Sequence, residues 1–330
     1  MEKIKNHPLV KKIGFNRIIL TGVLILMYVS FALLEPSFLK YRRIVSALNY
    51  AYFLGFLALG VTFVIATGGI DFSIGTVMFC SALIGGQCVV IHNMPLWMGL
   101  IICIIVGLFF GMANGFMVSY MGMPSFISSM ASMLLSKGIG SVFTGTQSVS
   151  WPQLTDGGWF RQLVKITVDI GGERVQIPTG LVCLIVVAII CAILLNKTRM
   201  GRYMLCLGSN KEAVRLSGVN VKKWEFLAYV LCGILAGIAA IFYVGAYSTV
   251  QPGLGDTFNN DAIASCVMGG TSMSGGLASI GGTFIGVMII SLLQEGILAM
   301  GFQKDWQYVI TGFIVIGAVY ADVRSRARKN

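Results

Sequence analysis

Apolar runs of about twenty residues, parted by short polar breaks, constrain this chain more than any other feature. Residues 18–34, 96–119, 178–195 and 224–247 are such runs. A helix of about twenty apolar residues matches the hydrocarbon thickness of a bilayer, whereas a barrel strand alternates over about ten. In lipid every backbone polar group must be satisfied internally, which leaves helices for runs of this length. The expected class is therefore an all-α integral membrane protein. Of the 330 residues, 56% are hydrophobic and only 11% charged, against about 25% charged in soluble domains. The net charge of +11 does not point to nucleic acid, because the cations sit in the loops that set membrane topology. The eight cysteines are scattered, mostly inside apolar runs and without a CxxC pair, and read as small apolar packers. His7 and His92 have no ligand spacing, so no metal set is expected.

Taken in order, the chain reads as one transmembrane domain, 1–330, of about ten helices. The expected spans are 18–34, 51–67, a third that begins directly after the break Gly68-Gly69-Ile70-Asp71 and runs to 91, then 96–119, 125–146, 178–195, 224–247, 259–270, 275–300 and 306–322. Segment 259–270 is too short to cross without help from its flanks. Segment 38–49, with Lys40, Arg42 and Arg43, is expected to lie along the outer surface as an amphipathic stretch. Trp-Pro, Asp-Gly-Gly and Gly-Gly-Glu punctuation in 148–177 suggests a small hairpin-like cap outside. The remaining polar parts are an N-terminus at 1–17, a basic loop at 196–223 and a tail at 323–330, all expected on the cytoplasmic side. This arrangement puts sixteen Lys and Arg inside and seven outside, which fits an even number of spans with both termini cytoplasmic.

Loop 196–223 carries seven cations, Lys197, Arg199, Arg202, Lys211, Arg215, Lys222 and Lys223, against the single acid Glu212. Within it, Gly208-Ser209-Asn210-Lys211-Glu212-Ala213-Val214-Arg215-Leu216-Ser217-Gly218 has a helical core. Ser209 or Asn210 can cap that helix, and Gly218 can end it. A short helix held under a membrane bundle is a docking element, with Leu216 and Val214 as apolar anchors and Arg215 as an ion-pair candidate. The chain has no GxxxxGK[ST], HExxH or GxSxG motif and no nucleophile–base pair, so it reads as a conduit without ATP or another cofactor of its own.

Four polar residues stand out in the apolar background. Asp71 follows a Gly-Gly break, where it is either a polar rim beside a pathway or an N-cap for the third span. Lys137 is expected to be paired structurally, with solute contact as the other reading, and Glu295 is treated in the same way. Asn114 bonds a neighbouring helix or lines the pore. Thr67-Gly68-Gly69-Ile70-Asp71-Phe72-Ser73 is echoed by Gly269-Gly270-Thr271-Ser272-Met273-Ser274. Paired breaks of this kind point to unwound backbone lining a cavity.

These motifs resemble those of membrane permeases of ATP-binding cassette (ABC) importers for monosaccharides, the ribose/xylose/galactose-type branch. Thr67 to Gly75 is similar to that family's TGGIDLSVG. Asn114-Gly115, followed by Met123-Pro124-Ser125-Phe126-Ile127, is similar to its NG…(P/S)FI segment. Gly201-Arg202-Tyr203 through Gly208-Ser209-Asn210, with Glu212-Ala213 and Ser217-Gly218, is similar to its coupling loop and keeps most of the EAA-x3-G spacing. Gly269 to Gly276 is similar to GGTSLSGG. Lys137, where Arg is commoner, and Gln294-Glu295-Gly296, where Asn-Asn-Gly is commoner, are departures. The resemblance implies a type II-like permease in a bacterial cytoplasmic (inner) membrane, paired with a second permease subunit. It also implies a cytoplasmic ATPase that holds ATP and Mg, and an extracytoplasmic sugar-binding protein. ATPase coupling would fall to Gly208, Ser209, Asn210, Glu212, Ala213, Arg215, Leu216 and Gly218. A translocation pathway would involve Gly68, Gly69, Asp71, Ser73, Asn114, Ser125, Phe126, Thr271, Ser272 and Ser274. The alternative, a self-sufficient secondary transporter, needs paired intramembrane carboxylates, and Asp71 and Glu295 are its only candidates.

Overall fold

The computed structural model describes residues 15–170, 173–303 and 305–327. Lys3, Lys5, Lys11 and Lys12 of the basic N-terminus lie outside the described residues, as do Lys304, Arg328 and Lys329. Twelve helices appear among the described residues: α1 (Phe15–Leu34), α2 (Tyr41–Ala66), α3 (Ile74–Val90), α4 (Leu96–Ser119), α5 (Ser125–Phe143), α6 (Thr179–Lys197), α7 (Arg199–Ser209), α8 (Lys211–Leu216), α9 (Val221–Tyr247), α10 (Asp256–Met268), α11 (Ile280–Ala299) and α12 (Trp306–Ala327). Seven of them, α1, α2, α4, α5, α6, α9 and α11, are long and apolar enough to cross a membrane, while α3 and the first part of α12 are shorter apolar helices. The chain is a multi-pass membrane protein.

Helix α2 lies at the centre, and Tyr50 to Ala66 are all buried. A helix apolar on every side belongs inside a bundle. The outer helices turn a different face outward: Ile185, Val186, Ile189 and Ile190 of α6, and Ile101, Ile105 and Phe109 of α4, are exposed, as lipid contact requires. Helices α4 and α9 meet along glycines. A Cβ added at Gly111 would lie 3.0 Å from Gly233 Cα, and one at Gly237 2.7 Å from Ile104 Cα. Such small-residue seams replace the hydrophobic drive that lipid removes.

Two expectations change. Segment 38–49 is not a surface stretch: Pro36–Leu39 forms one 3-10 turn and α2 runs unbroken from Tyr41. Helix α2 can start in this charged stretch because Arg43 donates to Glu295 Oε1 at 2.9 Å, so its charge is matched by α11. The second change concerns α7, an eleven-residue helix before the expected one, which splits loop 196–223 in two.

The cap at 148–177 contains the expected hairpin, β2 (Ile166–Ile170) antiparallel to β3 (Glu173–Ile177). A second pair, β1 (Val149–Ser150) and β4 (Thr249–Val250), ties the cap to the end of α9. Trp151 is buried and donates from Nε1 to Ala82 O at 3.1 Å. Arg161, also buried, donates to Pro152 O and Ser248 Oγ, each at 2.8 Å.

Candidate functional site

The site grows from the break between α2 and α3. After Ala66 the chain leaves helical geometry, Gly68 takes φ +83°, and α3 begins only at Ile74. Asp71 is 2% exposed. Its Oδ1 accepts from Ser73 N at 2.8 Å and Ser73 Oγ at 2.6 Å, so the side chain pins the break three residues ahead of Ile74, and Ser73 rather than Asp71 is the N-cap of α3. Asn114 of α4 donates to Ser73 Oγ at 2.9 Å and accepts from Ser132 Oγ of α5 at 2.6 Å. Ser125 Oγ accepts from Ile70 N at 3.3 Å, and the exposed Phe126 ring stands edge-on to Phe72 at 5.8 Å. Five expected pathway residues, Asp71, Ser73, Asn114, Ser125 and Phe126, therefore join α3, α4 and α5. The first three are buried, and Asn114 bonds neighbouring helices.

Residues 269–279 form the second break, between α10 and α11. Thr271 and Ser272 are buried and close this loop: Thr271 Oγ1 accepts from Ser279 N, and Ser272 N donates to Leu277 O. Ser274 is exposed. Both breaks then meet the basic loop at one point. Gly276 N donates to Ala66 O at 3.0 Å. A Cβ on Gly275 would fall 2.7 Å from Gly208 Cα and 2.8 Å from Gly68 N. Gly208 and Gly275 thus pack main chain on main chain beside Gly68, and a Cβ on Gly208 or Gly275 would hold the three segments apart.

Gly208 and Ser209 end α7, and Asn210 caps α8 by accepting from Ala213 N at 2.9 Å. Gly218 follows α8 with φ +78°. Glu212, Ala213, Arg215 and Leu216 are exposed, and Leu216 is 74% exposed. Arg215 Nε donates to Glu212 Oε2 at 2.9 Å and holds that carboxyl below the usual carboxylate range. Val214 is buried against its own bundle, which removes it as an anchor for a partner. Lys211 reaches Glu225 of α9 at 2.9 Å and braces α8.

Helices α3 and α10 also meet N-terminus to N-terminus, because Gly75 N donates to Asn259 Oδ1 at 2.6 Å. Lys137 of α5 pairs with Asp256, the first residue of α10, at 2.7 Å. Lys137 lies about 18 Å along α5 at 1.5 Å per residue. Three polar residues escaped the sequence reading. Asp261 of α10 accepts from Tyr50 OH of α2 at 2.5 Å and from Gln307 Nε2 of α12 at 3.0 Å. Their separations in sequence, 211 and 46 residues, left no local pattern; only a carboxylate inside segment 259–270 could have flagged them.

A family model described as "Branched-chain amino acid transport system / permease component" matches residues 43–319. The chain belongs to this permease family. It is 32% identical over 292 residues to the ribose import permease protein of Escherichia coli, with 88% of each chain covered. The ribose import permease protein of Bacillus subtilis is 32% identical over 305 residues, 92% of each. The galactose/methyl galactoside import permease protein of Salmonella typhimurium is 30% identical over 322 residues, 93% of this chain and 95% of that one. No solved structure matches the permease.

Proposed function

We propose that this permease is the transmembrane subunit of an ABC importer in a bacterial cytoplasmic (inner) membrane, moving a monosaccharide handed over by an extracytoplasmic binding protein. The observation that carries the reading is the glycine junction: Gly208, at the root of exposed helix α8, touches both helix breaks. A partner that pulls on α8 would move the breaks with it. That partner is a cytoplasmic ATPase, which keeps ATP and Mg to itself while this chain binds no cofactor. Gly208, Ser209, Asn210, Glu212, Ala213, Arg215, Leu216 and Gly218 form the docking and transmission surface. A second permease subunit, identical or closely related, completes the pathway.

The topology that goes with this reading has ten crossings and both termini in the cytoplasm. Helix α10 has 13 residues, about 20 Å at 1.5 Å per residue, so its crossing is completed by the irregular chain before it. The transported solute passes beside the breaks. Asp71, Ser73 and Asn114 fix the shape of the first break from behind, Thr271 and Ser272 fix the second, and Gly68, Gly69, Ser125, Phe126 and Ser274 lie towards the moving side. Sugar permeases among the relatives favour a monosaccharide over an amino acid. The secondary-transporter alternative is weakened because Glu295 is bound to Arg43 and Asp71 to Ser73.

Reconstitution into proteoliposomes tests the proposal. Uptake of ribose, xylose or galactose should require both the ATPase with ATP and the loaded binding protein. Uptake by the permease alone, driven by an ion gradient, would overturn it.

A further inference from the structure

Helices α1, α2 and α11 enclose an apolar groove of about 320 Å³ below the turn that joins α1 to α2. On α2 its wall is Ile44, Ala47 and Leu48, an i, i+3, i+4 face. Ile25 of α1 and Leu292 of α11 also line it. Phe38, from the turn itself, reaches the groove with its ring tilted against Tyr28 at 5.7 Å. Ile25 is 59% and Ile44 36% exposed, so the groove is open along α1 and α2. No charged or amide side chain lines it, and the Ser291 hydroxyl is spent on Val287 O at 2.8 Å. These walls suit hydrocarbon rather than a sugar or an ion. Empty apolar cavities stay dry, and one that opens on a bilayer is filled by lipid tails.

The charges above the groove narrow the occupant. Lys40, the N-cap residue of α2, is exposed and stands one turn above Ile44 on the same face. Arg43 turns toward α11, where Glu295 takes one of its nitrogens at 2.9 Å, yet its side chain stays 37% exposed. Glu35 caps its own turn by accepting from Ser37 N at 3.2 Å. Lys40, Arg42 and Arg43 set against Glu35 and Glu295 leave one positive charge. On the ten-crossing topology that charge stands at the outer surface, where the positive-inside rule disfavours Lys and Arg. Neither the docking surface nor the breaks include these residues. A second copy of this chain is a poor occupant, because a two-fold contact joins like patches and would bring two surplus cations together. We propose that the groove holds one acyl chain of an anionic phospholipid, with the lipid phosphate at Lys40 and the outward edge of Arg43. A phosphodiester carries one negative charge, which matches the surplus. A chain seated there ties α1 to α2 and α11. Binding of this kind needs neither ATP nor solute, so it stands apart from the transport reading; only the leaflet depends on the topology.

The test is native mass spectrometry of the full-length permease in detergent, after incubation with equal amounts of phosphatidylglycerol and phosphatidylcholine. The wild type should retain one phosphatidylglycerol per permease chain in preference to phosphatidylcholine. Lys40→Gln should lower that preference roughly fivefold, the size expected for one cation at a lipid surface. Arg42→Gln is the control: Arg42 is exposed but lies two residues from Ile44, on the opposite face of α2, and its loss should change the preference less than twofold. Ala47→Phe fills the groove and should abolish retention of either lipid. Should Ala47→Phe fail to assemble, Ile25→Trp, on the exposed side of α1, serves the same purpose. Equal losses in Lys40→Gln and Arg42→Gln would mean diffuse surface charge and overturn the site. Retention of the lipid by the groove-filling variant would overturn it as well. A wild type without bound lipid, together with disulfide cross-linking between two chains of Ile25→Cys in a Cys206→Ser background, would assign the groove to a second copy and defeat the proposal.

Discussion

Asp71 and Asn114 show what a polar residue does inside this bundle. Each interhelical hydrogen bond in a membrane contributes about 0.6 kcal/mol on average, and Asn114 makes two short ones, to Ser73 and Ser132. Asn114→Ala should therefore destabilise the permease by about 1–2 kcal/mol, read as a lower unfolding temperature in detergent. Asp71→Asn keeps an acceptor for Ser73 N and should behave nearly as wild type in that assay. Asp71→Ala should be as damaging as Asn114→Ala and should also lower transport, because the break loses its pin; an unchanged unfolding temperature in Asp71→Ala would show that the pin is idle. The Arg43–Glu295 pair is unequal, with Arg43 37% and Glu295 9% exposed at the side chain. Removing the exposed partner strands the buried charge, the more expensive error. Arg43→Ala should thus lower the unfolding temperature more than Glu295→Gln, and the reverse order would contradict the pairing. The sequence marked Asp71, Asn114, Lys137 and Glu295 because a polar group in an apolar run is conspicuous. Their partners were hidden: Arg43 and Glu295 are 252 residues apart, and nothing local links them.

At the scale of elements, docking and transmission are separable. Leu216 stands on the outer face of α8, whereas Gly208 is at the other end of the hinge, closed against Gly275 and Gly68. Leu216→Asp should abolish ATPase co-purification, since an exposed apolar anchor is the kind of residue that holds an interface. Gly208→Ala should leave co-purification intact, because α8 is untouched, while sugar uptake falls at least tenfold, as its Cβ has no room against Ala66 and Gly276. Gly218→Val should resemble Leu216→Asp through strain: φ +78° suits glycine and costs an ordinary side chain about 1–2 kcal/mol. Stimulated ATP hydrolysis in nanodiscs checks all three, and uptake by Gly208→Ala at the wild-type rate would remove the junction from the mechanism. The cap on α8 was legible because Asn before Lys-Glu-Ala and Gly after Leu-Ser are local signals. Helix α7 was not, because its cations suggested loop while its periodic apolar residues Met204 and Leu207 are buried against the bundle. The start of α2 was misread for the same reason, charge outweighing continuity at Tyr41.

For the whole molecule, run length and charge made the membrane class and most helices readable, but not their arrangement. Nothing in the apolar run 51–67 distinguishes it from 178–195, yet the first is the buried axis and much of the second faces outward. The difference is in neighbours: glycine seams such as Gly111–Gly233 draw α4 and α9 together, and two-residue strands such as β1 and β4 are too short to leave a pattern. The two breaks were visible as Gly-Gly echoes, but their meeting at Gly208 required three dimensions. Topology is the remaining whole-molecule property, and the cysteines offer a direct reading of it. Among the described cysteines, Cys206 of α7 is exposed and Cys183 half-buried, while the other six are buried. A membrane-impermeant maleimide should therefore react mainly at Cys206. If loop 196–223 is cytoplasmic, labelling should occur in inside-out vesicles and be absent from intact right-side-out ones, with Cys206→Ser as the blank. Asp169→Cys, in hairpin β2–β3, should label with the opposite sidedness in the same Cys206→Ser background. Both sites labelling from one side would require an odd number of crossings to be lost or gained between residues 169 and 206, and α6, whose apolar length makes it the one crossing there, would then have to lie in the membrane plane.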